Sequence, residues 1–177
     1  MTENKMENTK KIEKKIRKKF IEEQIDKNSI MGWVNQFDVS KDMFDECTKS
    51  YVKGLYIASV LLAHAFIEQS ISACLVEEIL EYEKEKKKKD TNYSATFAEK
   101  INIAKKKDFL TKDEAKEIIN IYRKVRNPYA HHSSTATEDL SNEQVRKEKA
   151  EISIRILCKL ADKWHVLVRV GKLKTPN

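Results

Sequence analysis

The chain has little of what tight turns are made from. Three glycines and two prolines are spread over 177 residues, whereas sandwiches and barrels need turn residues every 8–12 positions or so. The same scarcity excludes a glycine-rich loop cradling phosphates at a helix start. The three cysteines, Cys47, Cys74 and Cys158, lie far apart and form neither a CxxC pair nor a Cys/His cluster. A disulfide framework or a structural zinc site is therefore not expected, and Cys74 and Cys158 fall in apolar stretches where a thiol serves as a small core residue. The first residues are polar and charged, without the apolar stretch of a signal peptide. No apolar run approaches the length that spans a bilayer. These absences predict a soluble, cytoplasmic protein that uses no metal and no cofactor and makes no membrane contact.

What remains is rich in Lys, Glu, Ile, Leu and Ala, mostly good helix formers. At this length one domain with its own core is the default, so an all-α helical bundle is the economical fold. The formal net charge is +7 and the pI about 9.1. A basic surface points first to RNA or DNA and next to an acidic protein. With 36% charged residues, the same excess also simply keeps a helical domain in solution.

Along the chain, residues 1–10 read as frayed. Ile12, Ile16, Phe20, Ile21 and Ile25 then recur at helical spacing to about Lys27, a narrow stripe expected to pack on the bundle rather than to make a dimer contact. Residues 1–28 form this basic amphipathic helix and 29–177 the main helical domain. Ser29 to Val39 reads as a connection, with Ser40 as the next N-cap. Asp42 to Tyr82 is the most apolar stretch, carrying Leu55, Tyr56, Val60, Leu61, Phe66, Ile67, Ile71, Leu75, Ile79 and Leu80. It predicts the central helix, broken near Gly54. The charged run Glu83 to Asp90 reads as a solvated helix end rather than an RNA-contacting tip.

Three Ser/Thr-x-x-Glu/Gln capping boxes mark helix starts: Thr96–Glu99, Thr111–Glu114 and Ser141–Gln144. The first opens a helix to about Lys107. The second opens one through Ala115, Ile118, Ile119, Tyr122 and Val125. The third opens a long helix through Val145, Ile152, Ile156, Leu157, Leu160, Ala161, Trp164 and Val168, where Ile152 to Ile156 also alternates like a strand.

Pro128 disfavours helical geometry at Asn127, so the helix opened by Thr111 should end at Arg126 or Asn127. The corner that follows gathers Arg126, Asn127, Tyr129, His131 and His132 within seven residues. An Arg near a His suits RNA phosphodiester cleavage. The imidazole takes the 2′-hydroxyl proton near neutrality, and the guanidinium offers a planar fork to phosphoryl oxygens as they gain charge. On spacing alone, a helix-capping role comes first, because a His near the last carbonyls is stabilised by the helix dipole.

Context adds to the spacing. The run Val125-Arg126-Asn127-Pro128-Tyr129-Ala130-His131-His132 closes the helix "TKDEAKEIINIYRK", follows "LLAHAFIEQSI" and "FAEKINIAKKKDFL", and precedes one long helix. Over roughly residues 50–168 this arrangement resembles the HEPN superfamily. The resemblance implies a bundle of four to five main helices that dimerises to bring two Arg/His motifs into one cleft. It implies a metal-independent endoribonuclease, of the kind found in toxin–antitoxin, phage-defence and RNA-processing systems, that leaves 2′,3′-cyclic phosphate ends. Carried over by residue, Arg126 holds the scissile phosphate, His131 is the catalytic imidazole with His132 as the alternative, and Asn127 orients them. Glu68 matches an upstream acidic residue. One subgroup has a Tyr two residues after the His that a partner nucleotidyltransferase modifies. Here that position is Ser133, so an antitoxin of that kind loses support, while another cognate antitoxin or regulatory partner stays open. The "RNPYAHH" form also resembles HEPN-like relatives of mannitol-operon regulators, and the alternative function is a non-catalytic module binding nucleic acid or protein.

The remaining polar residues read more plainly. His64, one turn before Glu68, reads as a core histidine satisfied locally rather than a second polar pair facing the motif. His165 has no companion, and Tyr122 and Tyr129 read as packing rather than base stacking. A DNA-reading role has little behind it, because Lys112, Lys116, Arg123 and Lys124 suit phosphates rather than base edges.

Overall fold

The computed structural model describes residues 3–27, 38–88, 92–126 and 141–169, with side chains over 6–27, 42–88, 92–126 and 141–161. Among these residues the fold is all-α. The elements are α1 (Glu3–Lys27), α2 (Asp38–Val52), α3 (Tyr56–Cys74), α4 (Val76–Lys87), α5 (Phe97–Lys106), α6 (Lys112–Ile121), which continues as a π-helical turn (Tyr122–Arg126), and α7 (Glu143–Arg169). The stretch Ile152 to Ile156 is helical, so the strand alternative does not apply.

Helix α3 is the hub. It packs most extensively on α2 and α7 and also meets α5 and the π turn. Val60, Ala63, Phe66, Ile67 and Ile71 are almost wholly buried, as are Ile154, Leu157, Leu160 and Ala161 of α7. By length and composition α3 is long and apolar enough to cross a membrane, with 19 residues at mean hydropathy 1.4, which corrects the expectation that no run approaches that length. Its buried apolar side chains belong to the core of the bundle. The Cys47 thiol donates to the Ser59 carbonyl at 3.3 Å, and burial pushes it up to about 11. Burial likewise pushes Cys74 and Cys158 up to about 12. All three thiols are free and, in these settings, inert.

The expected central helix is three helices. The break at Gly54 falls where expected, with φ at +81°, a backbone region that suits glycine. A second break at Leu75, with φ at −121°, carries no Gly or Pro to announce it. Leu55, in the first break, and Leu80, on α4, were expected in the core and are exposed.

At the N-terminus, α1 begins at Glu3, so residues 3–10 are helical rather than frayed. Good helix formers and an i,i+4 pair, Glu7–Lys11 at 2.9 Å, support this start. Only the second half of α1 packs, through Phe20, Ile21 and Ile25. Ile12 and Ile16 stay 53% and 57% exposed, so that part of the stripe does not pack as expected. Arg17 fastens the helix by donating from Nε to the Val52 carbonyl at 3.1 Å and from a guanidinium nitrogen to the Tyr56 hydroxyl at 3.2 Å. Ser40, expected as an N-cap, lies inside α2, which starts at Asp38.

The capping boxes at Thr96 and Thr111 form with both reciprocal hydrogen bonds. The third does not. Asn142 Oδ1 accepts from the backbone N–H of Gln144 at 2.9 Å and of Val145 at 3.4 Å, so the cap sits one residue later than Ser141. A carboxamide accepts from the N–H groups two and three residues on, as a capping hydroxyl does, and ranks at least as high as an N-cap. Asn142→Ala should therefore cost about 1 kcal/mol in urea unfolding, while Ser141→Ala should stay within about 0.5 kcal/mol. The reverse order would restore the Ser141 cap.

Candidate functional site

Arg126 closes the π turn, and the turn packs on α3. Ala115, Ile118, Ile121 and Val125 are buried, so one face of α6 and the turn is anchored in the core. A π turn inserts an extra residue into the helical spiral and re-aims the side chains beyond it. Val125 stays in the core while Arg126, the next residue, is half-buried at the boundary.

The wall beside Arg126 is aromatic. Its guanidinium lies 5.0 Å from the Tyr122 ring centroid, a cation–π contact, and one of its nitrogens approaches the Tyr122 hydroxyl at 3.5 Å, the long limit of a hydrogen bond. Tyr122 packs on Phe97 with centroids 4.5 Å apart. His64 of α3 completes the cluster, its ring centroid 6.1 Å from Phe97 and 6.4 Å from Tyr122.

Phe97 is held in place by the first turn of α5. The Glu99 carboxylate accepts hydrogen bonds from the hydroxyls of Tyr93, Tyr82 and Thr96 and from the Thr96 backbone N–H. The Tyr93 hydroxyl, and after it Thr96, hold this carboxyl down at about 2, since donors favour the charged form.

His64 is 2% exposed. Burial, and after it the charge of Arg126, lower its pKa from 6.5 to about 4, so the ring is neutral at pH 7. Among the described residues its Nδ1 has no hydrogen-bond partner. His64 is thus a core residue, as expected, but it is not satisfied locally as expected, and it lies within the electrostatic reach of Arg126. Its position one turn before Glu68 was the only sign of this in the sequence.

The structure brings Arg126 together with Tyr122, Phe97 and His64. Glu68 is engaged by Lys100 of α5 at 3.6 Å, and Lys100 also donates to Ser72 at 3.1 Å. Asn127, His131 and His132 lie outside the described residues, as do Tyr129 and the side chain of His165. Lys112, Lys116 and Arg123 are exposed along α6 and the π turn. No group of three or more His, Cys, Asp or Glu positioned to hold a metal occurs among the described residues.

Comparison of the chain with family models, with curated proteins and with solved structures finds no match.

Proposed function

We propose that the protein is a metal-independent endoribonuclease of the HEPN type, acting as a homodimer in a toxin–antitoxin or phage-defence system. The observation that carries this reading is the half-buried guanidinium of Arg126, seated on the Tyr122 ring at the end of the helix that leads into Asn127 and His131. A cation held on a rigid aromatic floor is oriented before substrate arrives. Arg126 counters the charge that develops on the phosphoryl oxygens. His131 takes the 2′-hydroxyl proton as the 2′-oxygen attacks phosphorus, the bond to the 5′-oxygen breaks, and that oxygen leaves with a proton. The products are a 2′,3′-cyclic phosphate and a 5′-hydroxyl. The exposed cations of α6 and of α1, among them Lys10, Lys14 and Lys15, favour a polyanionic strand.

The test is incubation of structured and unstructured RNAs with the protein in EDTA, beside His131→Ala, with analysis of the product ends. Cleavage by wild type alone, leaving cyclic phosphates, is the expected result. Cleavage that needs an added divalent metal counts against the mechanism.

A second reading, a non-catalytic module, is favoured by one surface. Ile12 is exposed on α1 beside Lys11, Lys14, Lys15 and Lys18, an apolar and basic face suited to an acidic partner. On that reading His131→Ala leaves partner binding unchanged.

A further inference from the structure

His64 is a polar side chain in a place lined by apolar and aromatic rings. It is buried in an aromatic box, and its Nδ1 has no partner among the described residues. An unsatisfied buried nitrogen is destabilising, whereas leucine or phenylalanine fills such a space at no polar cost. Three contacts meet on one ring beside it. Tyr122 has Phe97 at 4.5 Å, His64 at 6.4 Å and the Arg126 guanidinium at 5.0 Å. The plane of Tyr122 therefore bears directly on where Arg126 points.

We propose that His64 is a positioning residue for Arg126, setting through Tyr122 the direction in which the guanidinium meets a phosphodiester. This rests on reading Arg126 as the phosphate-holding group. Two properties of a neutral imidazole suit the task. It packs beside the Phe97–Tyr122 ring pair, 6.1 and 6.4 Å from the two centroids, without adding a second positive charge beside Arg126. It is also dipolar, with ring nitrogens that act on the guanidinium by a charge–dipole interaction that a phenyl or isobutyl group lacks. The side chain touches no substrate in this role. Its effect is on the chemical step, because misplacing a catalytic group by a fraction of an ångström slows reaction more than it weakens binding.

The experiment compares wild type, His64→Phe, His64→Gln and Tyr122→Leu in single-turnover RNA cleavage in EDTA over a range of protein concentration. It also follows the Nε–Hε resonance of Arg126 by NMR. His64→Phe keeps a ring and removes the nitrogens, and it should slow the maximal rate about tenfold to a hundredfold while half-saturation stays within about twofold. The neutral, polar glutamine should recover most of the rate, which a purely space-filling role does not explain. Tyr122→Leu should lose rate as His64→Phe does, and it carries the same comparison if the phenylalanine variant does not fold. The Arg126 resonance should shift in His64→Phe and Tyr122→Leu and return toward wild type in His64→Gln. Wild-type rates and an unshifted Arg126 resonance in His64→Phe overturn the proposal. A wild type that cleaves no RNA overturns the nuclease reading instead, and the Arg126 resonance then still decides whether His64 positions the guanidinium.

Discussion

Arg126→Ala should fold and lose chelator-resistant RNA cleavage by about 10²–10³-fold, the usual effect of removing one preorganised group that stabilises transition-state charge. The two readouts separate because of where the residue sits. Its guanidinium is at the boundary of the core, and its contact with the Tyr122 ring at 5.0 Å contributes on the order of 0.5–1 kcal/mol. The buried anchors of this segment are Ile118, Ile121 and Val125, which the substitution leaves in place. Arg126→Lys keeps the charge but loses the planar fork and the flat seat on the ring, so its rate should fall between the alanine variant and wild type. His131→Ala should lose rate on a similar scale, as expected for a general base, and His132→Ala beside it identifies which imidazole acts. A folded Arg126→Ala protein that cleaves at the wild-type rate removes the guanidinium from the mechanism.

What the sequence disclosed, and what it did not, follows the range of the forces involved. Thr96 and Thr111 were legible because a capping box is local, a hydroxyl and a carboxylate three residues apart. At Ser141 the expectation fails because Asn142 beside it takes the Gln144 N–H that the box would use, and that of Val145 as well, and spacing alone does not arbitrate between neighbouring caps. The Gly54 break was visible as the one glycine in an apolar run. The Leu75 break was not, since no Gly or Pro stands there and the neighbouring residues keep a helical composition. The π turn is equally silent, because Tyr122 to Arg126 is composed like the last turn of any amphipathic α-helix. Arg126 was singled out by its chemistry and neighbours, and the structure adds the floor beneath it. Phe97 and His64 are 29 and 62 residues away in sequence, so their convergence on Tyr122 is a property of the tertiary fold. Asn127, His131 and His132 remain a reading of the sequence.

Acid should weaken the fold through His64. The folded-state pKa is about 4 against an ordinary value of 6.5, owing first to burial and then to Arg126. The unfolded chain therefore binds more protons than the native one between these values, and stability rises with pH across that window. Above 6.5 the contribution is fully present, and as pH falls through 6.5 toward 4 about 3 kcal/mol is lost. The charged groups around the ring support this sign. Arg126 on the π turn opposes a second cation. One turn along α3, Glu68 is paired with Lys100 of α5. Glu99 does not mask the effect, because its carboxyl, held at about 2 by the Tyr93 hydroxyl, gives up its contribution only as pH falls from 4.5 through 2. The check is urea unfolding of wild type and His64→Gln at pH 7 and pH 4. The two proteins differ only at position 64, so contributions from elsewhere cancel in the comparison. Wild type should lose about 3 kcal/mol more than the glutamine variant on going from pH 7 to pH 4. Equal losses would mean that His64 takes up a proton in the native state as readily as in the unfolded one, and that the aromatic box is open to water or offers Nδ1 a partner.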